Sequence, residues 1–136
     1  MINREILFRG KQMYDNSWVY GFYANDGKNH FIQYETRDTE GQTNFVEKEV
    51  HPETVGQFTS LTDKNGKKIF EGDIVLFSWA EDKNKVPFYI EFVQGEFRAT
   101  PKEITENVWS IRIAGYTSDF EVIGNIHDNP ELLEQE

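Results

Sequence analysis

Hydrophobic and polar residues alternate over short stretches through most of this chain, and clusters of Gly, Asn and Asp separate the stretches. A period of two is the signature of a half-buried strand, so the pattern predicts a β-rich fold. The first run is Glu5 to Arg9. In the second, Ser17 to Ala24, Trp18, Tyr20 and Phe22 fall on one face. Asn25-Asp26-Gly27 offers a tight turn before His30 to Tyr34, so the first 35 residues read as a meander. Arg37 to Asn44 reads as a polar loop, Phe45 to Val50 as a strand, and His51 to Val55 as a single helical turn with Pro52 near its start.

The strongest local signal is Asn65-Gly66, set between Phe58 to Thr62 and Lys68 to Phe77. That dipeptide tolerates the positive φ angles of a type I′ turn and predicts a hairpin. Glu71-Gly72-Asp73 interrupts the second arm and predicts a bulge or sharp bend. Val86 to Val93 follows as a strand, with Gly95 to Ala99 returning against it. Pro101 to Asn107 reads as a short helix, Val108 to Ile113 places Trp109, Ile111 and Ile113 on one face, and Phe120 to Ile126 is a last strand. The count is about seven to nine strands. Asn129 as N-cap, Pro130 at the first helical position and Glu131 in the first turn predict a short terminal helix.

Composition sharpens this picture. The 136 residues fit one domain, and eleven Phe, six Tyr and three Trp supply large apolar area to a chain only 38% hydrophobic. The absence of cysteine excludes disulfides and thiolate chemistry and fits a reducing cytoplasm. Met1-Ile2-Asn3-Arg4-Glu5 has no apolar run behind it, and no stretch approaches the roughly 18 to 20 apolar residues of a membrane span. The expected location is therefore the cytoplasm. A formal charge of −10 opposes binding to phosphate backbones and anionic lipid, most of all at the end, with Asp119, Glu121, Asp128, Glu131, Glu134 and Glu136. Lys64, Lys67 and Lys68 form the single basic cluster.

Three blocks in order carry a family resemblance. Arg4 to Gly10 is the first; the second is Pro52-Glu53-Thr54-Val55-Gly56-Gln57-Phe58-Thr59, continuing through Asp63 to Val75. The third is Phe120-Glu121-Val122-Ile123-Gly124-Asn125-Ile126-His127-Asp128-Asn129-Pro130-Glu131-Leu132-Leu133. Together they resemble the YopX-like proteins of phages and prophages, while Lys28 to Val50 and Ser78 to Arg112 carry no such likeness. The resemblance implies an all-β fold with minor helix: a partly open barrel related to SH3-like barrels, in a phage-encoded protein of a Gram-positive host. It implies a single domain over residues 1–136, with an N-terminal β-meander at 1–50, the barrel part at 51–128 and a short helical tail at 129–136. No activity and no catalytic residues come with it.

The residues themselves offer no chemistry. His30, His51 and His127 lack the spacing of a metal pair, and no cofactor is expected. Asp63-Lys64-Asn65-Gly66 fails the glycine position and ligand count of a calcium loop and reads as a turn. Ser60, Ser78, Ser110 and Ser118 lie in no Gly-x-Ser-x-Gly pattern, and the ten glycines form no phosphate-cradling loop. The sequence thus assigns no catalytic, cofactor or metal residues. Exposed aromatics can still stack bases or pack peptides, and Trp18, Tyr20, Tyr23, Trp79, Tyr89, Trp109 and Tyr116 are the pool, of which one or two are expected to form an exposed patch. The expected function is a non-enzymatic binding module acting on a host or phage protein, or on itself as an oligomer. An acidic nucleic-acid mimic, a weak nucleic-acid-binding barrel using Lys64, Lys67 and Lys68, and an unrecognised hydrolase stand behind it.

Overall fold

The computed structural model describes residues 4–77, 86–106 and 108–134. Met1 to Asn3, Ser78, Trp79, Asn107 and Glu136, which entered the sequence reading, lie outside the described residues. Within them the chain is all-β, with eleven strands and three short 3-10 turns. It divides into two compact units, Met1–Phe58 and Thr59–Glu136, shortly after the Pro52 to Gly56 stretch.

In the first unit, β1 (Phe8–Lys11), β2 (Trp18–Asn25), β3 (His30–Arg37) and β4 (Thr43–Glu49) form an antiparallel meander in the order β4-β3-β2-β1, and the first residues of β5 (Gly56–Thr62) pair with β1. The predicted turn between β2 and β3 is present. Gly27 adopts φ +89°, and one Asp26 carboxylate oxygen accepts the N–H groups of Lys28 and Asn29 at 2.9 and 2.7 Å. Those two donors hold the Asp26 carboxyl below its usual range. The predicted polar loop is shorter than expected, because Asp38 Oδ1 gathers the amides of Glu40 and Gln42 and lets β4 begin at Thr43.

Alternation does the sorting in this unit. Val19, Ile32 and Val50 form the buried cluster, with Phe8, Tyr23, Tyr34 and Val55 packed on it. Gly21 is required by close approach: a Cβ there would lie 2.1 Å from the Gln33 carbonyl oxygen, inside the backbone of the neighbouring strand. Past β1, the Met13 N–H donates to the Glu49 carbonyl and the His51 N–H to that of Lys11, both at 2.9 Å, around an isolated bridge between Gln12 and Val50. The single helical turn predicted after β4 is a 3-10 turn, Pro52–Thr54.

In the second unit the rest of β5 and β6 (Lys68–Phe70) form the hairpin predicted at Asn65-Gly66. The turn itself differs from type I′. Gly66 alone adopts positive φ, at +81°, the Gly66 N–H donates to the Asp63 carbonyl, and the Asp63 N–H to that of Lys67. This is a type I turn closed by a left-handed glycine. It is built around the Asp63 side chain, whose Oδ1 accepts the amides of Asn65 and Lys67 and whose Oδ2 accepts that of Val122, all at 2.9 Å.

Strands β7 (Asp73–Phe77), β8 (Phe88–Val93), β9 (Glu96–Pro101), β10 (Ile111–Arg112) and β11 (Phe120–Asn125) make a five-stranded antiparallel sheet in the order β10-β9-β8-β7-β11. Its core centres on Phe77, which meets Phe88 and Phe120 edge-on at centroid distances of 4.8 and 4.5 Å, with Ile69, Val75 and Ile90 also buried. The run Lys68 to Phe77 is two strands, because Glu71-Gly72 turns the chain with Gly72 at φ +89°. That split adds a strand, and the described residues hold eleven against the seven to nine expected.

As expected of a partly open all-β fold, the two antiparallel sheets are not closed into a barrel: among the described residues β10 is two residues long and pairs with β9, β11 shifts register between Val122 and Gly124 and pairs with β7, and β10 and β11 do not meet as neighbours in the sheet. Two further expectations are corrected. Residues 102–106 are irregular where a helix was expected, since the stretch after Pro101 has no apolar stripe with which to pack one. The terminal helix is the 3-10 turn Pro130–Glu134. The Asn129 side chain accepts the Asn125 N–H at 3.2 Å instead of capping forward, and the Leu132 N–H reaches the Asn129 backbone carbonyl at 3.0 Å.

The Asp63 carboxyl yields the first prediction. Burial pushes its pKa up, but the three amides that it accepts outweigh burial and hold it below the usual carboxylate value. Because the folded state binds this proton less tightly than the unfolded chain, the stabilisation is complete above about pH 3.9 and is lost as pH falls through the lower folded value. Asp63→Asn leaves at least one buried amide facing an NH2 group. It should cost about 1–3 kcal/mol at neutral pH and flatten the acid limb of the stability curve, both read from urea melts between pH 2 and 7. Equal stability of the two proteins at pH 7 would disprove this role.

Candidate interaction surface

The ladder of the first unit decides which side chains share its second face. Phe22 lies opposite Gln33 and Gln33 opposite Glu47, while Glu35 lies opposite Phe45. Cross-strand partners point to the same side and neighbours along a strand to opposite sides. Tyr20, Phe22, Gln33, Glu35, Phe45, Glu47 and Glu49 therefore stand on one face, away from Val19, Ile32 and Val50.

That face is open and aromatic. Phe45 is 81% exposed, Phe22 64% and Tyr20 47%. Between the two phenylalanines the Gln33 amide donates to the Glu47 carboxylate at 2.7 Å, which fixes a polar bar across the strands. Gln33, Phe45, Val46 and Glu47 line a shallow hollow of about 310 Å³ at the rim of β4. Toward β1 the chemistry changes sign. The Arg9 guanidinium lies 4.6 Å from the centroid of the Trp18 ring and the Lys11 ammonium 5.8 Å, both within cation–π range.

Of the aromatic pool, Tyr20 is exposed on this face and Trp18 half-buried at its β1 end. Tyr23 belongs to the core side, with its hydroxyl 2.6 Å from His30 Nδ1. Tyr89 is half-buried in the second unit, where burial and then the nearby Glu91 charge push its phenol above the usual value. Trp109 and Tyr116 are 55% and 48% exposed there. Phe22 and Phe45 were not in the pool, although the sequence reading put Phe22 on the face of Trp18 and Tyr20.

The second unit offers a hollow of about 370 Å³ with Val86, Pro87, Lys102, Val108, Leu133 and Glu134 among its walls. Its Lys102 and Glu134 are paired with each other, and among the described residues no histidine or serine lines it. On β9 and β10, Glu96 binds both Arg98 and Arg112, and the Arg98 hydrogen bond leads in holding its carboxyl below the usual value. The three histidines stay apart: His30 contacts Tyr23, His51 contacts Asn16 and Glu53, and the His127 amide donates to Asn125. At the hairpin tip Lys64 pairs with Glu121 at 3.5 Å. Among the described residues, no three His, Asp or Glu side chains come together as a metal site, and no helix is long and apolar enough to cross a membrane.

Exposure gives the second prediction. Phe45→Ala should change stability by no more than about 0.5 kcal/mol, because the ring is already in water. Ile32→Ala, on the same ladder but fully buried, should cost about 2–5 kcal/mol. Chemical denaturation of both variants checks the contrast, and a large loss for Phe45→Ala would mean that the ring serves the fold.

No curated protein matches the chain. Among solved structures, protein EF1440 from Enterococcus faecalis superposes with a TM-score of 0.59 over 96% of this chain and 99% of its own, at 23% identity. At that identity the likeness speaks for the fold alone. The YopX protein family matches over residues 7–134, nearly the whole chain, and this protein belongs to it.

Proposed function

We propose that this protein is a phage- or prophage-encoded binding module, without enzymatic activity, that takes hold of a host or phage protein through the aromatic face of its first unit. The observation that carries the reading is the exposure of Tyr20, Phe22 and Phe45 together on one side of a regular ladder. Rings this exposed bury little of their apolar area in the fold. Aromatic anchors with polar surroundings are the composition of an interface core and its rim. Membership of the YopX family supports the phage setting.

The charge balance bears on the partner's class. At −10 the chain repels nucleic acid, and the acids of this face, Glu35, Glu47 and Glu49, add to that repulsion. A protein partner fits the same surface without that penalty.

The test is affinity capture from host lysate, with nuclease and at two salt concentrations, using the parent chain and the double variant Phe22→Ala, Phe45→Ala. A partner that survives nuclease should be retained at least about tenfold less by the double variant, the loss expected when interface anchors are truncated. Equal retention by a well-folded variant would reject the face as the docking surface.

A further inference from the structure

The outer edge of β4, next to that face, has its own hydrogen-bonding phase. The Val50 N–H donates to the His30 carbonyl at 2.9 Å, in a register that also pairs Lys48 with Ile32 and Val46 with Tyr34. Bonded and non-bonded pairs alternate along an antiparallel ladder, so Asn44, Val46 and Lys48 turn their main-chain groups toward β3. Thr43, Phe45, Glu47 and Glu49 must turn theirs outward. The Glu49 carbonyl confirms the phase, because it accepts the Met13 N–H on the outer side. Beyond that contact β4 is the end strand of its sheet, and among the described residues the outward N–H and C=O groups of Phe45 and Glu47 find no main-chain partner.

We propose that this edge receives an extended, basic segment of the partner protein as an added β-strand. The inference rests on the binding-module reading and specifies its mode. Two outward residues offer two donors and two acceptors in strand register, and the hollow lined by Gln33, Phe45, Val46 and Glu47 opens at the same place. Charge selects the occupant. Glu47 and Glu49 stand on the edge strand and Glu35 beside Phe45, against Arg37 at the far end of β3. The incoming strand therefore carries a large apolar residue beside Phe45 and Lys or Arg two positions along, beside Glu47. A second copy of this chain would bring the same carboxylates to the same edge, on a molecule that already carries −10.

The experiment is amide hydrogen exchange by NMR on the full chain. The probe is a capped peptide of about nine residues with Thr at alternate positions and Lys, Phe and Lys between them, enough to span a typical strand. A control peptide carries Glu in place of each Lys. The Lys peptide should slow exchange of the Phe45 and Glu47 amides at least about tenfold and lose its effect at high salt, while the Glu peptide should do nothing. Glu47→Pro removes an outward N–H and leaves the bonds to β3 intact, so it should abolish the protection in a folded protein. Glu47→Ala keeps the N–H and should weaken binding only several-fold.

Equal effects of the two peptides, protection confined to other strands, or full binding by Glu47→Pro would overturn the proposal. So would protection of the same two amides by self-association without any peptide. If Glu47→Pro captures the lysate partner as well as the parent while the Phe22→Ala, Phe45→Ala variant does not, the aromatic face stands and strand addition falls. If both variants capture normally, the two readings fall together.

Discussion

Asp63 holds the second unit's hairpin and its last strand with one carboxylate. Taking that group out of water is costly, since the residue is only 6% exposed, and the cost is tolerable because three backbone amides converge on it. Two of them belong to the turn that the residue begins. The third belongs to Val122, on β11, far along the chain. The Lys64 N–H donates to the Phe120 carbonyl at 2.9 Å beside it, so turn and strand are clasped by main-chain and side-chain bonds together. Phe120 is thereby fixed against Phe77, and the aromatic core of the unit assembles around that contact.

The same carboxylate explains what the sequence could and could not disclose. Asn65-Gly66 marks a hairpin by local propensity, and the hairpin is there. The turn type depends on Asp63, which draws the Asn65 and Lys67 amides inward and leaves positive φ to Gly66 alone. Strand positions elsewhere follow from alternation and were legible within a few residues. Features that depend on pairing at a distance were not: the register shift at Val122 and Gly124, the brevity of β10 and the open sheet edges are set by partners remote in sequence. Residues 102–106 misled because helix-compatible residues without an apolar stripe have nothing to pack.

The candidate surface was half legible. Periodicity placed Trp18, Tyr20 and Phe22 on one side of β2, but alternation says which residues share a side and is silent on which side stays uncovered. Phe45 was harder to find. It sits among Thr43, Asn44 and Glu47, and only its register opposite Glu35 shows that its ring extends the face begun by Phe22. The usable signal was contextual: a phenylalanine whose neighbours at two-residue spacing are Thr43 and Glu47 shares its side with polar residues, which argues against a core side.

An exposed strand edge beside exposed aromatics is an aggregation hazard, and charge is the common safeguard. Here the safeguard is also selective. Glu47, Lys48 and Glu49 put charge on both sides of the edge strand, but the side that carries Phe45 also carries Glu35, Glu47 and Glu49. Two copies of that edge repel each other through their carboxylates at the distances of adjacent strands, where like charges are least screened. A strand of opposite charge meets attraction at the same distances. The device that keeps the chain from pairing with itself is thus the one that would recruit a basic strand, and no separate specificity element is needed.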